Sequence, residues 1–210
     1  MVLLARSAMA SCRVAARRVK ASSLGVWRSR RCRQRASTGP TGGGGDGSRM
    51  IETYLEGLSN LARNVALKST VVFGPQMSVD KRSALINSFG YLTDVQFREF
   101  EADMTELYAE ADLVVSMAGY NTVCELLSFG RNAILIPRAQ PVKEQLIRAR
   151  LLAAAGLFEM VEPDDLSPEV LMTKVLASLK HASEQPVRVD LQGLPRIRER
   201  IRELLEEKER

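Results

Sequence analysis

The chain has 210 residues, 45% hydrophobic and 26% charged, which suits one sizeable globular domain with tails. Its net charge of +5 belongs to the head: residues 1–45 carry nine Arg, one Lys and no acid, while from Asp46 onward 20 basic residues face 25 acidic ones, so the balance does not make the body a nucleic-acid binder. Three cysteines exclude a disulfide framework and favour a reducing compartment, the single histidine, His181, excludes His-rich metal sites and leaves little room for a Ser-His-Asp triad, and no apolar run approaches the ~20 residues of a membrane helix.

Residues 1–40 form the head. They are rich in Arg, Ala and Ser and lack acids. Three readings stay open: an organellar transit peptide, a disordered basic tail, or upstream sequence translated from a false start. An Arg-rich nucleic-acid arm is a weaker fourth. On each of the first three the head is dispensable for folding.

Patterning begins at Gly42. "GGGGDG", Gly42–Gly47, is a loop, and apolar residues at helical spacing from Met50 to Val65 predict a helix over 48–66. "STVVFGP" predicts a buried strand over 69–75, closed by Gly-Pro, and a helix follows over 78–90 with Ser78 near its cap. A strand over 95–100, a short helix over 102–111, a strand over 112–118 and a helix over 121–130 come next. A strand over 132–137, a helix over 142–156 ending at Gly156, a strand over 158–162 and a helix over 167–180 complete the body. A final charged helix over 194–210 carries Leu194, Ile197, Ile201, Leu204 and Leu205 on one stripe. Strands alternating with helices predict an α/β fold, a single Rossmann-like, doubly wound parallel sheet. The domain is expected over 41–182, and a linker with the C-terminal amphipathic helix over 183–210.

Ligands of such sheets sit beyond the carboxyl ends of the strands, so the strand-to-helix corners matter most. After the strand over 112–118 comes Gly119-Tyr120-Asn121-Thr122. Gly119 lets backbone approach a ligand, and the following helix N-terminus offers N–H groups to an anion. Glu125 lies four residues after Asn121 on nearly the same helix face, where a carboxylate can hold two neighbouring sugar hydroxyls. Thr122 and Glu125 also match a capping box, in which Glu125 turns back on its own helix terminus, and spacing alone favours the cap slightly. The corner after 132–137 shifts the weight, because Glu144 and Gln145 open its helix. Two successive corners with Asn, Glu, Glu and Gln form a hydroxyl-binding rim. Gly43, Gly44 and Gly45 make a third corner, which reads either as a phosphate cradle or as a flexible linker.

Met117-Ala118-Gly119-Tyr120-Asn121-Thr122-Val123-Cys124-Glu125, followed by Gly130, Pro137 and Glu144-Gln145-Leu146-Ile147-Arg148-Ala149, resembles the sugar-donor box of GT-B glycosyltransferases. That box reads H-C-G-W-N-S-x-x-E, then G-x-P, then an acid-Q-x-x-N-A. The match is closest to the MurG-like, family-28-type C-terminal domain and covers about 40–180. The resemblance implies the donor-binding half of a GT-B fold, a hexosyltransferase family, and a nucleotide sugar, of UDP type, bound with no cofactor and no obligatory metal. It implies donor contacts at Gly43, Gly44, Gly45, Met117, Gly119, Tyr120, Asn121, Thr122, Glu125, Glu144 and Gln145. Two positions depart from it: Met117 stands where the box has His, and Arg148 where it has Asn.

The resemblance assigns no catalytic residue to this chain, because the acceptor domain and its base lie in the other half of such enzymes. The leading expectation is a glycosyltransfer domain completed by an acceptor subunit in trans, as in the split N-acetylglucosaminyltransferase of the dolichol pathway. Peripheral membrane association through that partner and a cytoplasmic location follow, with mitochondria or plastid as the alternative if the head is a transit peptide. The alternatives are a non-catalytic nucleotide-sugar-binding subunit or truncated relic, and half of a nucleotide-sugar 2-epimerase.

Overall fold

The computed structural model describes residues 2–4, 36–37, 46–61, 67–75, 77–181 and 189–208. Strands β1 (Val2–Leu4) and β2 (Ala36–Ser37) precede helix α1 (Asp46–Asn60). Then come β3 (Ser69–Val72), α2 (Val79–Phe89), β4 (Val95–Arg98), α3 (Thr105–Glu110), β5 (Leu113–Ser116) and α4 (Tyr120–Phe129). The body closes with β6 (Ala133–Leu135), α5 (Glu144–Ala154), β7 (Glu159–Met160), a single 3-10 turn (Pro163–Asp165) and α6 (Pro168–His181), and α7 (Gly193–Lys208) follows.

The strands form one sheet in the order β4-β3-β1-β2-β5-β6-β7. Pairs β3–β4, β2–β5, β5–β6 and β6–β7 are parallel, as alternating strands and helices require. The central strands are short and apolar: every residue of β5 and β6 is buried, so they read as continuous hydrophobic runs.

The sheet departs from the purely parallel expectation at β1. Val2–Leu4 lies antiparallel between β3 and β5, with Leu3 opposite both Val71 and Val115. The reason is the slot itself. Among the described residues before α1, Ala36–Ser37 forms a short strand that pairs parallel with β5. The inner edges of β3 and β5 still need backbone partners, and Val2-Leu3-Leu4 is an apolar run able to supply them.

Helix packing fixes the rest of the core. Gly57 of α1 meets α6 so closely that a Cβ there would stand 2.6 Å from Cγ of Met172 and 3.1 Å from the Pro168 carbonyl. Tyr54, fully buried in α1, shares a 2.8 Å hydrogen bond with the Ser69 hydroxyl at the start of β3. Phe73 stacks on Phe97 across the β3–β4 pair. Helix α1 ends at Asn60 rather than at 66, and Ala62 and Val65 of the expected helix lie outside the described residues.

Helix α2 is capped as expected, Ser78 Oγ accepting from the Lys81 N–H. Helix α4 ends in a left-handed Gly130, φ 56° and ψ 47°, whose N–H turns back to Leu126 and Leu127. Helix α7 buries none of its apolar stripe: Leu194, Ile197, Ile201, Leu204 and Leu205 are all exposed. Among the described residues no helix is long and apolar enough to cross a membrane.

Candidate functional site at the β5 and β6 corners

Strands β5 and β6 run parallel in adjacent positions, Ser116 opposite Leu135, so the loops leaving them emerge side by side. The Ile136 N–H donates to the Ser116 carbonyl and extends the pairing to the start of both corners. From β5 the chain passes through buried Met117 and Ala118 to Gly119 and enters α4. From β6 it passes through Pro137 to α5.

Helix α4 starts at Tyr120, with Gly119 as its N-cap at φ −65° and ψ 146°. Glycine has no side chain to cover the first-turn N–H groups, and α5 likewise begins without a side-chain cap at Lys143. This start corrects the capping-box expectation. With Gly119 as the cap, Glu125 lies nearly two turns into the helix, too far to reach back to its terminus.

Glu125 is held elsewhere. Its Oε2 accepts a 3.1 Å hydrogen bond from the hydroxyl of Tyr108 in α3. Tyr108 is fully buried and its ring packs against Phe129 of α4. Burial, reinforced by the adjacent Glu125 carboxylate, raises the Tyr108 phenol well above its ordinary value, so it stays a donor. Thr122 is buried beneath the corner, Asn121 and Tyr120 are exposed, and Glu125 is half-buried.

At the second corner Gln145 is buried, its Oε1 facing the Arg138 N–H at 3.4 Å. Glu144 is exposed and pairs with Arg148 one turn along α5. Arg148 then crosses to the first corner, where its Nη1 donates to the Ala118 carbonyl at 2.7 Å and its guanidinium carbon lies 5.6 Å from the centroid of the Tyr120 ring.

The expected residues are thus drawn into three contacts. Glu125 faces Tyr108, Gln145 faces the β6–α5 turn, and Glu144 and Tyr120 meet at Arg148. Gly43, Gly44 and Gly45 lie outside the described residues. Sequence reasoning missed Tyr108 as the holder of Glu125 and Arg148 as the tie between corners. Arg148 had one legible signal, its i,i+4 spacing from Glu144. Among the described residues no group of three or more His, Cys, Asp or Glu side chains is arranged to hold a metal ion.

Residues 41–201 match the glycosyltransferase family 28 C-terminal domain. The chain belongs to that family. Family 28 relatives include the UDP-N-acetylglucosamine–N-acetylmuramyl-(pentapeptide) pyrophosphoryl-undecaprenol N-acetylglucosamine transferase of Mannheimia succiniciproducens. It is 35% identical over 132 residues, covering 62% of this chain and 36% of that protein. The Histophilus somni protein of the same name is 34% identical over 146 residues, covering 68% and 39%. Among solved structures, Acinetobacter baumannii MurG superposes with a TM-score of 0.53 at 25% identity, over 69% of this chain and 43% of that one. The family 28 domain is therefore MurG-like in fold, and the chain spans less than half the length of the curated relatives it matches.

Proposed function

We propose that this chain is the donor-binding half of a hexosyltransferase and takes a UDP-linked sugar at the β5 and β6 corners. The observation that carries the reading is the junction of the two corners at Arg148, which brings the open N-terminus of α4 beside the start of α5. A diphosphate meets N–H groups and helix dipole at Gly119 and Tyr120. Asn121 and Glu125 lie on the following turns, where a ribose attached to that diphosphate comes within reach, and the bond from Tyr108 fixes the carboxylate for it. Gln145 and Glu144 open the helix of the neighbouring corner, the second place where donor hydroxyls are expected. The printed names of the relatives, transferases of N-acetylglucosamine from its UDP conjugate, support that donor as the first to test.

In this reading the leaving diphosphate is stabilised by helix N-termini and the corner cation, with no resident metal. The acceptor and the general base come from a second half, either further sequence or a separate polypeptide, because the chain spans 36–39% of these relatives. A cytoplasmic site of action, at a membrane surface through that partner, goes with the reading. A non-catalytic nucleotide-sugar-binding subunit is the second reading; neutral Met117, the residue after β5, favours it.

Titration calorimetry of the full chain with UDP-N-acetylglucosamine, UDP and uridine tests donor binding, and no heat at millimolar nucleotide rejects it. Adding an acceptor half and assaying UDP release separates the two readings. Release establishes transfer or donor hydrolysis, whereas binding without release leaves the subunit reading.

A further inference from the structure

Arg148 brackets the entrance to α4. Its Nη1 donates to the carbonyl of Ala118, one residue before the N-cap, and its guanidinium lies over the ring of Tyr120, the first helical residue. The Arg148 side chain is only 19% exposed, whereas its anionic partner Glu144 is 67% exposed. The cation is therefore fixed by the domain, and its counter-ion is a solvated carboxylate whose ion pair costs little to break.

The β5–α4 corner, Ser116 to Thr122, has no charged side chain of its own to meet a diphosphate. A helix terminus contributes about half an elementary charge. Met117, the residue after β5, is buried and neutral. A guanidinium presents five N–H donors in a planar fork, and carbonyl and carboxylate contacts leave donors over for phosphate oxygens.

Building on the donor-binding reading, we propose that Arg148 is the diphosphate-binding cation of this site and that Glu144 is its exchangeable counter-ion. In the empty protein Glu144 neutralises the guanidinium. When a nucleoside diphosphate arrives, its phosphate oxygens take the place of the Glu144 carboxylate, while the Ala118 carbonyl and the Tyr120 ring keep the fork in place. Glu144 thus acts as a competitor of the ligand.

The test is the ratio of UDP affinity to uridine affinity, measured by titration calorimetry on the full chain. Arg148→Gln should lower that ratio about tenfold or more while changing uridine affinity little, the usual effect of losing charge-assisted bonds to phosphate. Arg148→Lys should keep part of the ratio, as a point charge without the fork. Glu144→Gln should raise the ratio, by about two- to fivefold for an exposed pair. A ratio unchanged in Arg148→Gln overturns the proposal, as does a wild-type chain that binds uridine and UDP equally. If Arg148→Gln fails to fold by circular dichroism, Glu144→Gln decides alone, because its side chain is exposed: an unchanged or lowered ratio overturns the proposal. A wild-type chain that binds neither ligand instead sinks the donor-binding reading, a result distinct from binding with the wrong ratio.

Discussion

The hydroxyl of Tyr108 in α3 donates to Oε2 of Glu125 in α4 across 3.1 Å, from a side chain with no solvent exposure. A buried phenol needs a partner, and a carboxylate on the next helix supplies one. The same bond holds Glu125 away from its own helix terminus. One contact therefore satisfies the core and orients the acid that the proposed donor site assigns to the ribose.

Glu125→Ala should weaken UDP binding by about 1–3 kcal/mol, the cost of leaving ribose hydroxyls without their acceptor. Titration calorimetry measures it. A loss of folding stability of about 1 kcal/mol with unchanged UDP affinity would reduce Glu125 to a partner for Tyr108 and nothing more.

Tyr108 and Tyr54 make stability fall in alkali. Both phenols are raised above the ordinary value near 10, chiefly by burial, so the folded state favours their protonated forms. Their contribution is complete below about pH 10 and is lost as pH rises through the raised folded-state values. Urea unfolding at pH 8, 10 and 11 should show a falling midpoint, with the tyrosinate absorbance of the two buried phenols appearing only on unfolding. Tyr108→Phe and Tyr54→Phe should each flatten that decline, and an unaltered slope in both variants counts against buried phenols as its cause.

Gly57→Ala should destabilise the fold by about 1–3 kcal/mol, because the new methyl meets the Met172 side chain and the Pro168 carbonyl at the α1–α6 crossing. Adding Met172→Ala should recover less than the whole loss, since the carbonyl cannot move aside as a side chain can. Thermal melts of the single and double variants measure both, and a neutral Gly57→Ala means that the helices stand further apart.

Deleting residues 1–5 should lower stability by about 2–4 kcal/mol, from several lost backbone hydrogen bonds at roughly 1 kcal/mol each. Val71, Val72, Val115 and Ser116 lose the strand opposite them. Chemical denaturation of the shortened chain decides this, and an unchanged midpoint restores the head to the dispensable status that its composition suggests.

Much of the body was legible because its signals are local. Strands β3, β4, β5 and β6 announce themselves as short apolar or alternating runs, and Ser78, Gly130 and Gly156 mark helix ends by chemistry that acts within one turn. The Thr122–Glu125 spacing misled for a related reason. It is a local pattern, but the helix began at Tyr120, two residues before the threonine, and the acid found a partner elsewhere. The placement of Val2–Leu4 was hidden because its antiparallel partners in β3 and β5 lie far along the chain, which no short window of sequence reveals.

The amino-acid order alone determined the alternation of strands and helices, the division of charge between head and body, and the position of the two strand-to-helix corners. Periodicity and end signals operate over a few residues and survive without knowledge of the rest. Tertiary structure decided which groups those corners use: Tyr108 reaches Glu125 across 17 positions, and Arg148 reaches Ala118 across 30. Those partnerships arise because parallel pairing sets β5 beside β6 and packing sets α3 against α4, and only the folded chain brings such distant positions within hydrogen-bonding range.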